Sequence, residues 1–249
     1  MPKLTVKDLQ ALKGVRQIGF VQVARVEEAI AASAAGMDMI GTKYRAETAA
    51  SPTFVASGEA ALSDAMRAME AGAESIYCGM SPHVVEVLAR EGVPVIAHIG
   101  LVPPKATWVG GMKAVGRNAE QAVQVYKDAK AFESAGAFAL EVEVVPAQVA
   151  AEITKRVSPL TISLGSGSQC DATYLFSADL LGENRGHIPR HAKVYRNFAA
   201  ERERLQQERI AAYSEYIKDI ESSAYPTAVH DVSIDKTEFD QFMESLSIY

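Results

Sequence analysis

Cysteine is scarce in this chain: Cys78 and Cys170 lie far apart, and no CxxC pair is present. Neither a disulfide framework nor a zinc site of the usual spacing has support, and a reduced, cytoplasmic setting is the expectation. Long apolar runs are missing too. No window approaches the roughly 18 consecutive apolar residues that a membrane span requires, and the opening MPKLTVKDLQALKG is amphipathic rather than signal-like. Basic charge is not in excess, since 25 Lys+Arg stand against 31 Asp+Glu for a formal charge of −6. Without a basic stripe, neither nucleic acid nor an anionic membrane is an expected partner, and a small-molecule substrate is the expectation. No GxGxxG follows the first strand-like run, so a dinucleotide site has no footing.

What the chain does have is the mix of a globular protein, 48% hydrophobic and 22% charged across 249 residues, and a recurring unit. VEEAIAASAAG leads into MDMIGT, SDAMRAMEAG into AESIYCG, HVVEVLAREG into VPVIAHIG, VYKDAKAFESAG into AFALEVEV, and PAQVAAEITKRVS into PLTISLGSG. Each pairs an apolar stripe at three- and four-residue spacing with a Gly or Ser-Pro stop and then a short apolar run. Near-continuous apolar strands between helices predict a buried parallel sheet, either a (β/α)8 TIM barrel or an open doubly wound sheet. Strands are expected at 17–24, 37–42, 53–57, 74–78, 93–99, 137–143 and 160–165, with a weak one near 173–182. Eight is the barrel number. About ten residues separate the second from the third, too few for a helical crossover, so one βα unit reads as trimmed. The barrel is expected over 1–198. A C-terminal helical extension over 199–249, led by the charged AAERERLQQERIAAYSEYIKDIES, would pack on the barrel or on a neighbouring subunit.

In a parallel barrel, functional groups come from the C-terminal ends of strands and the loops after them. That rule selects Thr42, Lys43, Tyr44 and Arg45; Tyr77 and Cys78; His98; Glu141 and Glu143; and Ser166, Ser168, Cys170 and Asp171. The loops at 100–117, which carries Lys113, and at 183–193 add to them. Glu143 stands out, because in AFALEVEVVP alternate residues share a face and a carboxylate rarely enters a barrel interior without a task. It can serve as a general base, or it can pair with a nearby Lys or Arg and hold structure. His98 can shuttle a proton or orient a carbonyl oxygen, or be a hydrogen-bonded core histidine.

Taken together, HIGLVPPKATWVGGMKAVGR, LEVEVVP, LTISLGSGSQCDA, GHIPRHAK and IESSAYPTAVH resemble the ketopantoate hydroxymethyltransferase family, of the phosphoenolpyruvate mutase/isocitrate lyase superfamily. The resemblance implies a (β/α)8 barrel in a homo-oligomer, a decamer in the family. It also implies transfer of a hydroxymethyl group from methylenetetrahydrofolate to a branched 2-oxo acid held as an enolate on Mg2+. It makes Glu143 the base that removes the C3 proton and His98 an active-site histidine. It further implies three metal-site carboxylates, but their places read Gly41-Thr42-Lys43, AETAASPTF and Tyr77-Cys78-Gly79. Thr, Ala, Tyr and Gly do not replace carboxylates around Mg2+, so no cofactor is expected and no metal ligand is assigned.

The expected function is accordingly aldol, retro-aldol or related C–C bond chemistry on a 2-oxo acid or similar carbonyl compound. Glu143, His98 and Lys43 are the catalytic candidates, and Thr42, Tyr44, Arg45, Tyr77, Lys113 and Ser166 the substrate-binding ones. Lys43 and Arg45 would supply the charge that the metal supplies in the family. Two alternatives stay open: a catalytically silent paralogue that keeps an oligomeric binding scaffold, and the family's own reaction with a metal site rearranged onto Glu47, Glu141 or Asp171.

Overall fold

The computed structural model describes residues 4–42, 52–54 and 60–246. The chain divides into two compact units, Met1–Asn197 and Phe198–Tyr249. The first holds α1 (Val6–Ala11), β1 (Ile18–Gln22), α2 (Val26–Ala34), β2 (Met39–Gly41), β3 (Pro52–Phe54), α3 (Ala61–Glu70), β4 (Ser75–Cys78), α4 (Pro82–Arg90), β5 (Val95–Gly100), α5 (Ala119–Ser134), β6 (Ala139–Glu143), α6 (Ala147–Thr154), β7 (Leu160–Leu164), β8 (Ala172–Phe176) and α7 (Ser177–Leu180). A 3-10 turn, Pro103–Val109, lies between β5 and α5.

Local chemistry starts and stops these elements. Thr5 and Asp8 cap α1 reciprocally: the Asp8 N–H donates to Thr5 Oγ1 at 3.3 Å and the Thr5 N–H to Asp8 Oδ2 at 2.9 Å. Asn118 caps α5 by accepting the Gln121 N–H at 2.9 Å. The glycine stops seen in sequence follow the helices at positive φ, as at Gly136 (φ 90°), where an added Cβ would also meet Ala89 Cβ at 2.8 Å.

Among the described residues, eight strands run parallel in the order β2-β1-β8-β7-β6-β5-β4-β3. The sheet curls until β2 and β3 approach one another, although no ladder joins them among the described residues. This is the α/β barrel-type fold expected, including the weak eighth strand. Alternation sorts the side chains. Val95, Ala97 and Ile99 of β5 and Leu140 and Val142 of β6 pack outward against Val85, Leu88, Val125, Phe132 and Ile153 of the helices. Phe20, Met39, Ile96, Ala139, Ile162, Leu164 and Tyr174 form an inner cluster onto which α1 packs Leu9.

One connection departs from the expectation. The strand-end rule puts Cys170 and Asp171 at a functional end, yet residues 165–171 return without a helix to the start of β8. Asp171 Oδ2 accepts from Lys13 Nζ (2.7 Å), the Thr161 N–H (2.8 Å) and Thr161 Oγ1 (2.9 Å), while the Ile18 N–H donates to Asp171 O. Its carboxylate is therefore consumed at the N-terminal side of the sheet, and it is no candidate metal ligand.

The second unit consists of α8 (Phe198–Glu221), a 3-10 turn (Ala228–His230) and α9 (Lys236–Leu246). Neither helix of this unit has a buried residue.

Candidate active site

The register of three adjacent strands assembles the site. β5 and β6 pair His98 with Glu141 and Gly100 with Glu143, and β6 and β7 pair Glu143 with Leu164. Inward alternation then puts His98, Glu141 and Glu143 on the barrel's interior, with Tyr77 entering from β4. His98, Glu141 and Glu143 are all buried.

His98 Nε2 lies 3.0 Å from Glu143 Oε2 and 3.9 Å from Glu141 Oε1. Neither contact is aligned as a hydrogen bond, so Nε2 is a buried nitrogen without a hydrogen-bond partner. The other ring nitrogen, Nδ1, contacts the Tyr77 hydroxyl, which also engages Glu141. Burial pushes the Glu141 carboxyl up to about 7; the His98 charge opposes that shift and the Glu143 charge reinforces it. For His98, burial alone would lower the pKa, but Glu143, Glu141 and the Leu101 backbone outweigh it and the net direction is upward. Burial, reinforced by Glu141, also raises Tyr77, keeping its proton in place.

Backbone contacts from three directions fix Glu143. The Leu101 N–H donates to Glu143 O at 2.9 Å, the Val144 N–H to Leu164 O at 2.8 Å, and the Val115 N–H to Val144 O at 3.1 Å. Val144 takes φ 49°, a left-handed conformation that β-branched residues avoid. Ser166 completes the clamp, with its hydroxyl donating to Val142 O at 2.8 Å and accepting the Val145 N–H at 2.9 Å.

The structure thus brings Tyr77, His98 and Glu143 together and adds Glu141, which the strand-end rule named as a candidate. Ser166 lies beside them with its hydroxyl committed to the backbone. Thr42 is buried at the end of β2. Lys113 is exposed and, with Trp108, Arg117 and Asn118, lines a separate open cavity of about 620 Å³. Lys43, Tyr44 and Arg45 lie outside the described residues, as does Glu47. Both thiols are buried with raised pKa values, burial being the main cause, which makes them poor nucleophiles. Sequence reasoning named the 183–193 loop without singling out His191, and it passed over Tyr174. The His191 ring sits where a Cβ on Gly165 would meet Nδ1 at 2.7 Å, and it feels the Glu143 charge. Tyr174 lies on the inner face of β8, donating to Gln22 Oε1 at 3.3 Å. The alternating ATYLF was the available signal for Tyr174.

A parallel α/β barrel with an acid–base cluster near the carboxyl ends of β4, β5 and β6 belongs to the large class of barrel proteins that work at that face. Comparison with known proteins narrows the class. The profile of the ketopantoate hydroxymethyltransferase family matches residues 50–228, and the chain belongs to that family. The 3-methyl-2-oxobutanoate hydroxymethyltransferase of Geobacillus sp. (strain WCH70) is 38% identical over 185 residues, 73% of this chain and 64% of that protein. The enzyme of the same name from Pyrobaculum arsenaticum (strain DSM 13514 / JCM 11321 / PZ6) is 39% identical over 173 residues, 68% of this chain and 62% of its own. The chain therefore spans somewhat under two thirds of the length of these relatives. Among solved structures, a provisionally assigned phosphonomutase from Burkholderia cenocepacia J2315 superposes with a TM-score of 0.52 at 13% identity, covering 68% of this chain and 90% of that one, a likeness of fold.

Where the resemblance calls for carboxylates at the ends of β2 and β4, the chain has Gly41-Thr42 and Tyr77-Cys78-Gly79, none of them an acid. The third place, beyond β3, falls outside the described residues.

Proposed function

We propose that this protein carries out ketopantoate hydroxymethyltransferase-type carbon–carbon bond chemistry on a 2-oxo acid or similar carbonyl substrate, without the family's carboxylate-held Mg2+. The observation that carries the reading is Glu143 itself, a buried carboxylate at the carboxyl end of β6, fixed by backbone contacts and 3.0 Å from His98 Nε2. In this scheme Glu143 takes the proton from C3 of the oxo acid. The C3–H electron pair becomes the C2–C3 double bond of an enolate, and the negative charge passes to the C2 oxygen. The enolate carbon then forms the new bond to a one-carbon electrophile, which is a methylenetetrahydrofolate-derived unit if the co-substrate follows the family resemblance. Run backwards, the same steps cleave the bond. His98, close to both glutamates, holds or returns the proton. Lys43 and Arg45 keep their proposed role as the cations that neutralise the enolate and grip the substrate carboxylate.

The test is C3–H exchange of 3-methyl-2-oxobutanoate in deuterated water, followed by proton NMR with and without EDTA. Exchange that persists in EDTA and falls at least 100-fold in Glu143→Gln, in line with the ~10²–10⁴ typical of a positioned base, is the expected result. No exchange with any 2-oxo acid tried would favour a silent binding scaffold, and exchange abolished by EDTA would return the reaction to a metal.

A further inference from the structure

We infer that His98, Glu141 and Glu143 form a binding site for one divalent first-row transition cation, distinct in residues and in ligand chemistry from the family's carboxylate-held Mg2+. The geometry is that of a ligand set. One nitrogen or oxygen from each residue lies within 4.8 Å of the others, and Nε2 is 3.0 and 3.9 Å from the two carboxylate oxygens. A cation about 2.0–2.2 Å from each ligand holds neighbouring ligand atoms roughly 3.0–3.6 Å apart, so the observed spacing needs only a small closing movement.

The second observation is the orphaned Nε2. His98 is only 5% exposed, and Nε2 is aimed between two carboxylates without an aligned hydrogen bond to either. The Tyr77 hydroxyl explains why. It touches both Glu141 and the Nδ1 of His98, so Nδ1 is engaged by an outer partner and Nε2 is the ring nitrogen left toward the carboxylates. Nε2 faces the Glu143 and Glu141 oxygens, a place that either its own proton or a cation between them satisfies. This is also the arrangement of ligating histidines, whose second ring nitrogen is held by an outer hydrogen-bond partner.

One imidazole and two carboxylates suit Mn2+, Fe2+, Co2+ or Zn2+ better than Mg2+, which prefers all-oxygen octahedra and sheds water reluctantly. The inference goes beyond the proposed activity and shares Glu143 with it. A cation on Glu143 weakens it as a base, so the proposed exchange belongs to the metal-free form.

Tag-free, full-length protein stripped with chelator and titrated with Co2+ in excess Mg2+, followed by visible absorption, tests the site. The expected result is one tight equivalent in the wild type, displaced by Zn2+, and weakened at least 10-fold in both His98→Ala and Glu141→Gln. Tyr77→Phe should retain the equivalent but bind about 10–100-fold more weakly, the usual effect of losing an outer partner. Circular dichroism and thermal melting establish that each variant is folded. His230→Ala, removing an exposed histidine of the second unit, should leave the titration unchanged. No tight equivalent in the wild type, or one that survives in folded His98→Ala and Glu141→Gln, overturns the inference. Because binding is read without substrate, failure of the exchange reaction leaves this result standing.

Discussion

At the residue scale, Gly100 and Glu143 meet at the ends of their paired strands, and the meeting is tight enough to decide which side chains are allowed. Gly100 has φ 86°; a Cβ there would overlap Glu143 O and lie 2.6 Å from Val145 Cγ2. A left-handed conformation costs an L-residue roughly 1–2 kcal/mol, and the overlap with backbone adds to it. Gly100→Ala should therefore lose about 2 kcal/mol or more of stability and, by displacing the Glu143 carbonyl, lose C3–H exchange as well. Thermal melting and NMR exchange read the two effects. Val144→Gly is the contrasting variant: glycine accepts φ 49° freely, so stability should change by no more than about 1 kcal/mol while exchange slows as the turn after Glu143 loosens. An unchanged exchange rate in Gly100→Ala would show that the turn does not position the base.

At the element scale, β1 and β2 are tied at their N-terminal ends by Arg16 and Asp38. Arg16 donates to both carboxylate oxygens, at 2.8 and 2.6 Å, and the Gly19 N–H donates to Asp38 Oδ2 at 2.9 Å. The Arg16 hydrogen bonds hold the Asp38 carboxyl below the usual aspartate range, against its partial burial. A depressed folded-state pKa gives stability that is complete above the unfolded value, near 3.9, and disappears as pH falls through the folded one. Asp38→Asn should thus cost about 1 kcal/mol near neutral pH, discounted because Arg16 is half exposed. The Tm gap to wild type should stay level from pH 8 to about 5 and close below about 4. A gap independent of pH would remove the charge from the explanation.

The same scale shows what the sequence could and could not reveal. Strands such as VPVIAHI and AFALEVE were legible because glycine-stopped amphipathic helices bracket them, and alternation alone placed Glu141 and Glu143 on one face. The union of Tyr77, His98 and Glu141 was not legible, since it depends on the register between β4, β5 and β6, which no local pattern encodes. Asp171 was misplaced for the complementary reason: a helix-free return over 165–171 looks like any Gly/Ser loop until Lys13 and Thr161 are seen to claim the carboxylate.

At the scale of the whole molecule, the second unit poses the question of what covers its apolar side chains. α8 runs 24 residues, roughly 36 Å. Its later half carries Ile210, Tyr213, Ile217 and Ile220 at alternating three- and four-residue spacing, between 48% and 68% exposed, the pattern of a helix seam built to meet another helix. α9 repeats the device with Phe239, Phe242, Met243 and Leu246, all about half exposed. Such stripes seldom stay in water on a monomer. We propose a second copy of the same chain as the occupant, because a symmetric pairing offers each apolar helix an equally apolar partner. Homo-oligomerisation, the state the resemblance implied, is thus the proposed assembly. Sedimentation velocity of the full chain should give a species larger than a monomer, and Ile217→Glu should shift it toward smaller species while the far-ultraviolet dichroism stays unchanged, since the substituted side chain is 54% exposed. A wild-type chain that sediments as a monomer at micromolar concentration would leave the stripes to a different partner.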